Sequence, residues 1–442
     1  MTEHQEQIVI SGVGVITCFG VGIDALWEAM MEGKTGIHRI ERFDPSGFKS
    51  QVAGELAEDA FKVRKIVPKS HRKATKVMCR DTELAVGAAA DAVENANLTT
   101  AGTSDEDPTI APNRVGCHIG AGLISAEVNE LGAALVTSQK EDGTFDLAHW
   151  GGEGMQNLTP LWLLKYLPNM LACHVTIVHD CQGPSNAITC CEASSGLSIA
   201  ESRRVIKRGD ADMCLSGGAE DRINPLALYR QHCTGRLVES DGSGDMHTLV
   251  QPFSEHANGT AIGEGGGIMI VESKTSCDAR NGSPWCTIDG IGCRQSFADS
   301  PLDGDPKAIA SAINKALAEA NCEACNIDVI VPLGAGIQQL DSAEREGLAE
   351  VFGDSLPSIP TITTIPYTGN CMAGNGAIAI GVAAKAIKEQ TVPARLGCNS
   401  TNGIDAAKSG PQQIPINRVL VVTPSEGGQC VAIILGRMEV KT

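Results

Sequence analysis

Short apolar, β-branched runs alternate along the chain with longer amphipathic stretches. Ile8-Val9-Ile10-Ser11-Gly12-Val13-Gly14-Val15-Ile16 reads as a buried strand closing in a glycine-rich turn. Asp24 to Gly33 follows as a helix, with Asp24 as N-cap and Gly33 as stop. The pattern then predicts a mostly helical Arg72 to Leu98, a strand from Val115 to Gly122, a helix from Ser194 to Gly209 and a strand from Ala211 to Gly218. Gly266 to Glu272 closes this first half. The second half repeats the alternation, with strand Cys286 to Cys293, helix Pro306 to Ala320, strand Val329 to Gly334, helix Gly374 to Glu389, and a final hairpin of Arg418 to Thr423 with Cys430 to Gly436. Two similar halves of alternating strands and helices imply layered α/β/α/β/α packing, with five strands expected in each sheet. Glu141 to Leu161 is glycine-rich and irregular, an expected cap over the core.

Composition narrows the classes. The chain has 442 residues, 42% hydrophobic and 20% charged, an ordinary globular mix large enough for two domains. A net charge of −18 argues against nucleic acid and anionic membranes as partners. The apolar runs are too short to span a bilayer. The polar start, Met1-Thr2-Glu3-His4-Gln5-Glu6, does not read as a signal peptide, so a cytoplasmic setting and reduced, unpaired cysteines are expected for the 17 Cys. Cys322-x-x-Cys325 has no second pair or nearby His to complete a zinc site, and no metal or other cofactor is expected.

Several separated motifs carry a family resemblance. They are Ile8–Ile16, Gly33-Lys34-Thr35-Gly36-Ile37, Arg42-Phe43-Asp44 and Arg72-Lys73. Gly183-Pro184-Ser185, Ala193-Ser194-Ser195, Gly209-Asp210-Ala211-Asp212 and Gly217-Gly218-Ala219-Glu220 come next along the chain. Gln251-Pro252-Phe253, Gly263-Glu264-Gly265-Gly266-Gly267, Thr368-Gly369 and Gly374-Asn375-Gly376-Ala377 complete the set. In this order and spacing the chain resembles a β-ketoacyl-acyl-carrier-protein synthase of the elongating type. The resemblance implies a thiolase-like fold with halves at residues 1–275 and 276–442, and an obligate dimer pairing across the strand near Ser185 to Cys190.

The family uses a cysteine at a helix N-terminus, where dipole and backbone N–H groups favour the thiolate, and two histidines that assist decarboxylation. Read without gaps, the cysteine position falls on Glu192. A gapped reading makes Cys191 the nucleophile, at the cost of a deletion and an insertion in a tight turn. The histidine positions fall on Leu333 and Asn370, with Asp341 and Glu344 at the family's downstream acids. Ile365 stands at a usual lysine and Glu426 at a usual gate phenylalanine. None of the 10 His lies beyond His256, so no shift of register places one in the second half's loops. Glu192 is either a general base raised by burial or a filler of the lost nucleophile's space.

Lys62, Arg64, Lys65, Lys69, Arg72, Lys73 and Lys76 lie within fifteen residues without an acid among them. They are either a solvated face or a dock for an acidic carrier protein, with Arg236 as a further member. The resulting reading is a catalytically silent synthase homologue like a chain-length factor, pairing with an active synthase or with itself. Asn186, Ile188 and a helix from Leu161 to Met170 would then line an acyl tunnel. The alternatives are an acyl-thioester enzyme using Glu192 or Cys191, and a homodimeric acyl-binding protein.

Overall fold

The structure is a computed structural model and describes residues 6–297, 299–397, 403–404 and 410–438. Met1 to Gln5, part of the segment read for a signal peptide, lie outside the described residues. Nine strands form the main path of a 12-stranded sheet: β1 Ile8–Thr17, β2 Val115–Gly120, β3 Ser185–Ile188, β4 Met213–Asp221, β5 Ile262–Ser273, β6 Cys286–Gln295, β7 Val329–Val331, β8 Arg418–Pro424 and β9 Gln429–Gly436. Their order is β7-β8-β9-β6-β1-β5-β4-β2-β3. Antiparallel pairs Val9 to Thr287 and Ile10 to Cys286 join the two parts of the sheet.

The first part carries five strands, as the pattern predicts, and the second carries four. A single parallel bridge, Ile330 to Thr361, stands where a fifth would pair, because Pro360 and the polar Thr361, Thr363 and Thr364 do not continue as a strand. Six helices position the site and its surroundings: α1 Arg80–Asn95, α2 Met170–His179, α3 Ser194–Lys207, α4 Pro306–Glu319, α5 Gln338–Phe352 and α6 Asn375–Glu389. The helices α3 and α6 pack between the two parts of the sheet, α1 and α2 cover one outer face, and α4 and α5 cover the other. This is the thiolase-like arrangement of two α/β parts in five layers.

Close packing explains the glycines of β1. A Cβ at Gly14 would collide with the Ala88 carbonyl and the Ala92 amide of α1, whose inner face is Ala85, Ala88, Ala89 and Ala92. Asn95 Oδ1 accepts a hydrogen bond from the Val13 amide (3.0 Å), and Asp91 Oδ2 one from the Val15 amide (3.2 Å), close to the bulge between Ile10 and Gly12.

Two helical expectations shrink. Residues 72–79 are not part of α1: 3₁₀ turns cover Lys69–His71 and Ala74–Val77, and Met78 and Cys79 are extended before the helix starts at Arg80. Leu161 to Met170 is not a helix either. It is a 3₁₀ turn, Trp162–Tyr166, stopped by Pro168 before α2.

Candidate functional site

Glu192 sits where β3 turns into α3. Cys191 takes a left-handed backbone (φ 47°), and a 3₁₀ turn, Cys191–Ala193, runs directly into the helix. Ser194 Oγ locks this turn: it accepts from the Cys190 amide (2.8 Å) and donates to the Cys191 carbonyl (2.6 Å). The Glu192 side chain is fully buried at the helix start.

Its carboxylate has three partners. Oε1 meets Arg236 Nη2 in a short ion pair and takes a hydrogen bond from Asn370 Nδ2 at 3.5 Å. Oε2 accepts the backbone amide of Glu426 at 3.0 Å. Arg236 is itself fully buried, and its Nη1 lies 2.6 Å from Glu426 Oε2. One guanidinium thus bridges the residue at the start of α3 and the residue at the tip of the β8–β9 hairpin. Burial alone would raise the Glu192 carboxyl. Arg236 and the backbone N–H groups outweigh it and hold Glu192 below the ordinary carboxylate range. Glu192 is therefore an ionised, satisfied carboxylate, and the raised general base weighed from the sequence does not form.

Asn370 is held in place by its own bonds. Its Oδ1 accepts from the Met372 amide (2.8 Å) and from Asn375 Nδ2 (2.6 Å), which turns the amide nitrogen toward Glu192. Leu333 and Ile365 pack in one buried aliphatic cluster with Ile37, Val52 and Val250. Beneath them Glu344 accepts the amides of Leu333 (2.9 Å) and Gly334 (3.0 Å), and Asp341 those of Phe253 (2.8 Å) and Gly336 (3.1 Å). Burial pushes Glu344 up to about 8 and Asp341 up to about 7, against the pull of those amides. Leu333, Arg236, Glu344 and Glu426 line a cavity of only about 20 Å³, about one water's worth. Glu192 and Asn370 touch each other. Leu333 shares the cavity with Arg236, which is common to both groups.

Family models decide the kinship. That for the N-terminal domain of β-ketoacyl synthase matches residues 5–276, and that for the C-terminal domain matches residues 285–399. The chain belongs to the β-ketoacyl synthase family. It is 29% identical to the tetracenomycin polyketide synthase ketoacyl synthase beta subunit of Streptomyces glaucescens, over 97% of this chain and 98% of that one. Among solved structures, the ishigamide ketosynthase/chain length factor matches with TM-score 0.82 at 22% identity, over 98% of this chain and 100% of that one. A type II polyketide acyl-carrier protein in complex with its ketosynthase bound to the hexaketide matches with TM-score 0.78 at 21% identity, again over 98% and 100%. The relatives also include the 3-oxoacyl-[acyl-carrier-protein] synthase 2 of Staphylococcus aureus, 26% identical over 88% of this chain and 87% of that one.

The other expected site residues of this synthase chain lie apart from that cluster or differ from it in character. Cys191 is half-buried, and burial, then Glu192, Glu426 and Glu220, push its thiol up to about 12. No low-pKa thiolate forms there. Asn186 is exposed and Ile188 half-buried on β3, the last strand of the sheet. Lys65, Lys69, Arg72 and Lys73 are all exposed. Arg236 does not join them. It is buried between two carboxylates and cannot face a carrier protein, which corrects the docking role expected from its sequence position. Sequence reasoning placed Glu192 and Glu426 separately and missed the cation they share. The available signal was the charge count, since two new carboxylates in one pocket demand a buried base. Among the described residues no helix is long and apolar enough to cross a membrane, and no cluster of His, Cys, Asp and Glu is arranged to hold a metal.

Proposed function

We propose that this chain is a catalytically silent β-ketoacyl synthase homologue that acts as the chain-length-setting partner of an active synthase. The observation that carries the reading is the Glu192–Arg236–Glu426 ion bridge. It fills the places read for the nucleophile and the gate with side chains already engaged with one another. The Glu426 amide, a donor suited to an oxyanion, is already spent on Glu192. Leu333 neither donates nor titrates, and a cavity of about 20 Å³ has no room for an acyl thioester.

Surface features support a partner of the same fold. Among the described residues the edge strand β3 is unpaired on one side. The segment between β2 and α2 exposes Leu123, Val136, Phe145, Leu147, Leu161 and Leu163, an apolar surface that a subunit would cover. Asn186 and Ile188 lie on the strand that such a partner would meet, which makes them the candidates to line a shared acyl tunnel. The halves at 1–275 and 276–442 then follow the family's division, and the exposed bases at Lys65, Lys69, Arg72 and Lys73 are the proposed dock for an acidic acyl carrier protein. The polyketide carrier complex among the similar structures supports that partner class.

The test is intact-mass analysis after incubation with malonyl- and acyl-loaded carrier protein. The chain alone stays unmodified, while a co-purified partner is acylated. Ile188→Trp then shortens the partner's product. An adduct on this chain that is lost in Cys191→Ala or Glu192→Ala overturns the reading in favour of altered catalysis.

A further inference from the structure

At the far end of α3 from Glu192, about 20 Å along the helix, lies a second group of charges. Arg203, Arg204, Lys207 and Arg208 from the end of α3 and Lys315 from α4 line an open cleft of about 640 Å³. Glu319 is the acid among its lining residues, and it is already engaged: Oε1 takes Arg203 Nη1 at 2.6 Å and Oε2 the Ile291 amide at 2.8 Å. Arg203 is buried, donates Nη2 to the Asp289 carbonyl (3.2 Å), and keeps a buried Nε without a hydrogen-bond partner.

The remaining cations are only loosely compensated. Lys207 has one contact, 3.9 Å from Glu319. Arg204 meets Glu201 at 3.5 Å, and Arg208 meets Asp210 at 3.0 Å and Glu201 at 3.7 Å. Lys315 is exposed and has no ion pair among the described residues. Arg204 and Lys315 line the same cleft although they come from different helices. Burial, then Arg203, pull Lys207 below its ordinary range, with Glu319 only partly opposing. Last-turn bases can be explained by the helix dipole, which accounts for Arg204 and Lys207. That explanation does not reach Lys315, which is not in the last turn of α4.

We infer that this cleft between α3 and α4 binds a small phosphate-type dianion, free or as a phosphate ester, bridging the two helices through Lys207, Lys315 and Arg204. A dianion fits better than a single carboxylate because two lysines and a weakly paired arginine converge there. On a chain with net charge −18, attraction must come from such a local surplus. The C-terminal end of α3 itself repels an anion, so the side chains carry the affinity. The site does not depend on the function proposed above.

The experiment is calorimetric titration of the full chain with inorganic phosphate and, separately, with adenosine monophosphate. Saturable binding at one site is expected, weakening at least tenfold in Lys207→Ala/Lys315→Ala and steeply with added salt. Lys34→Ala/Lys49→Ala, exposed lysines outside either basic surface, leaves it unchanged. Tighter binding of the nucleotide assigns an ester, and equal binding assigns the free anion. No saturation in the millimolar range, or binding that survives Lys207→Ala/Lys315→Ala with an unchanged unfolding midpoint, overturns the inference.

Discussion

Arg236 serves two carboxylates at once, so its removal strands both. Arg236→Ala should cost about 3–5 kcal/mol in urea unfolding, the range for breaking a buried ion pair from one side. Glu192→Gln should cost less, since Glu426 still balances the guanidinium. The same pair sets an acid limit. The Glu192 carboxyl is depressed in the folded chain relative to the ordinary 4.5, so its contribution is fully present above that value and is lost as pH falls through the lower folded one. Wild-type stability should therefore drop more steeply below pH 4.5 than that of Glu192→Gln, as read by denaturation at stepped pH. Cys191 gives an independent check. With its thiol pushed up to about 12, iodoacetamide at neutral pH should label the exposed Cys233 well before Cys191. Rapid, selective labelling of Cys191 would contradict the environment described for it.

At the scale of elements, the segment between β2 and α2 is the least self-sufficient part of the chain. Leu147 is 74% exposed and Val136 68%. Leu147→Asp and Val136→Asp should release the chain from the partner proposed above in size-exclusion chromatography with light scattering, without lowering its own unfolding midpoint. Most elements were legible because their apolar runs were unbroken. The span Pro306 to Ala320 was read within one residue of α4, and the final hairpin pairs antiparallel from Arg418–Gly436 to Pro424–Cys430. Reading failed at Leu161 to Met170, where Pro168 ends a 3₁₀ turn and no helix forms. The motif Gly263–Gly267 lies inside β5, where a Cβ at Gly266 would collide with Gly218 and Ala219 of the neighbouring β4. Glu192 and Asn370, named separately from motif spacing, meet in the structure. The Arg236 bridge was not legible in the sequence, since its members lie 44 and 190 residues apart and no local periodicity links them.

For the whole molecule, charge is unevenly placed. The strongly acidic chain carries an exposed basic strip from Lys62 to Lys76, the one proposed above to dock an acidic carrier protein. Lys69→Glu/Lys73→Glu should weaken carrier binding about tenfold or more at low salt and by less at high salt, measured by surface plasmon resonance. Equal binding would remove that strip from the docking surface. The Arg236 bridge has a consequence for descent as well as for chemistry. A thiol restored at position 192 would leave the guanidinium with Glu426 alone. A histidine restored at position 333 would enter an aliphatic cluster shaped around Ile365, where an unpaired polar group costs about 1–3 kcal/mol. The step at 333 costs folding energy before any turnover could be gained, and the step at 192 gives up the Arg236–Glu192 ion pair. On the silent-subunit reading proposed above, the pocket behaves as a ratchet: single changes toward a Cys-His-His set are disfavoured, and reaching it requires several changes together.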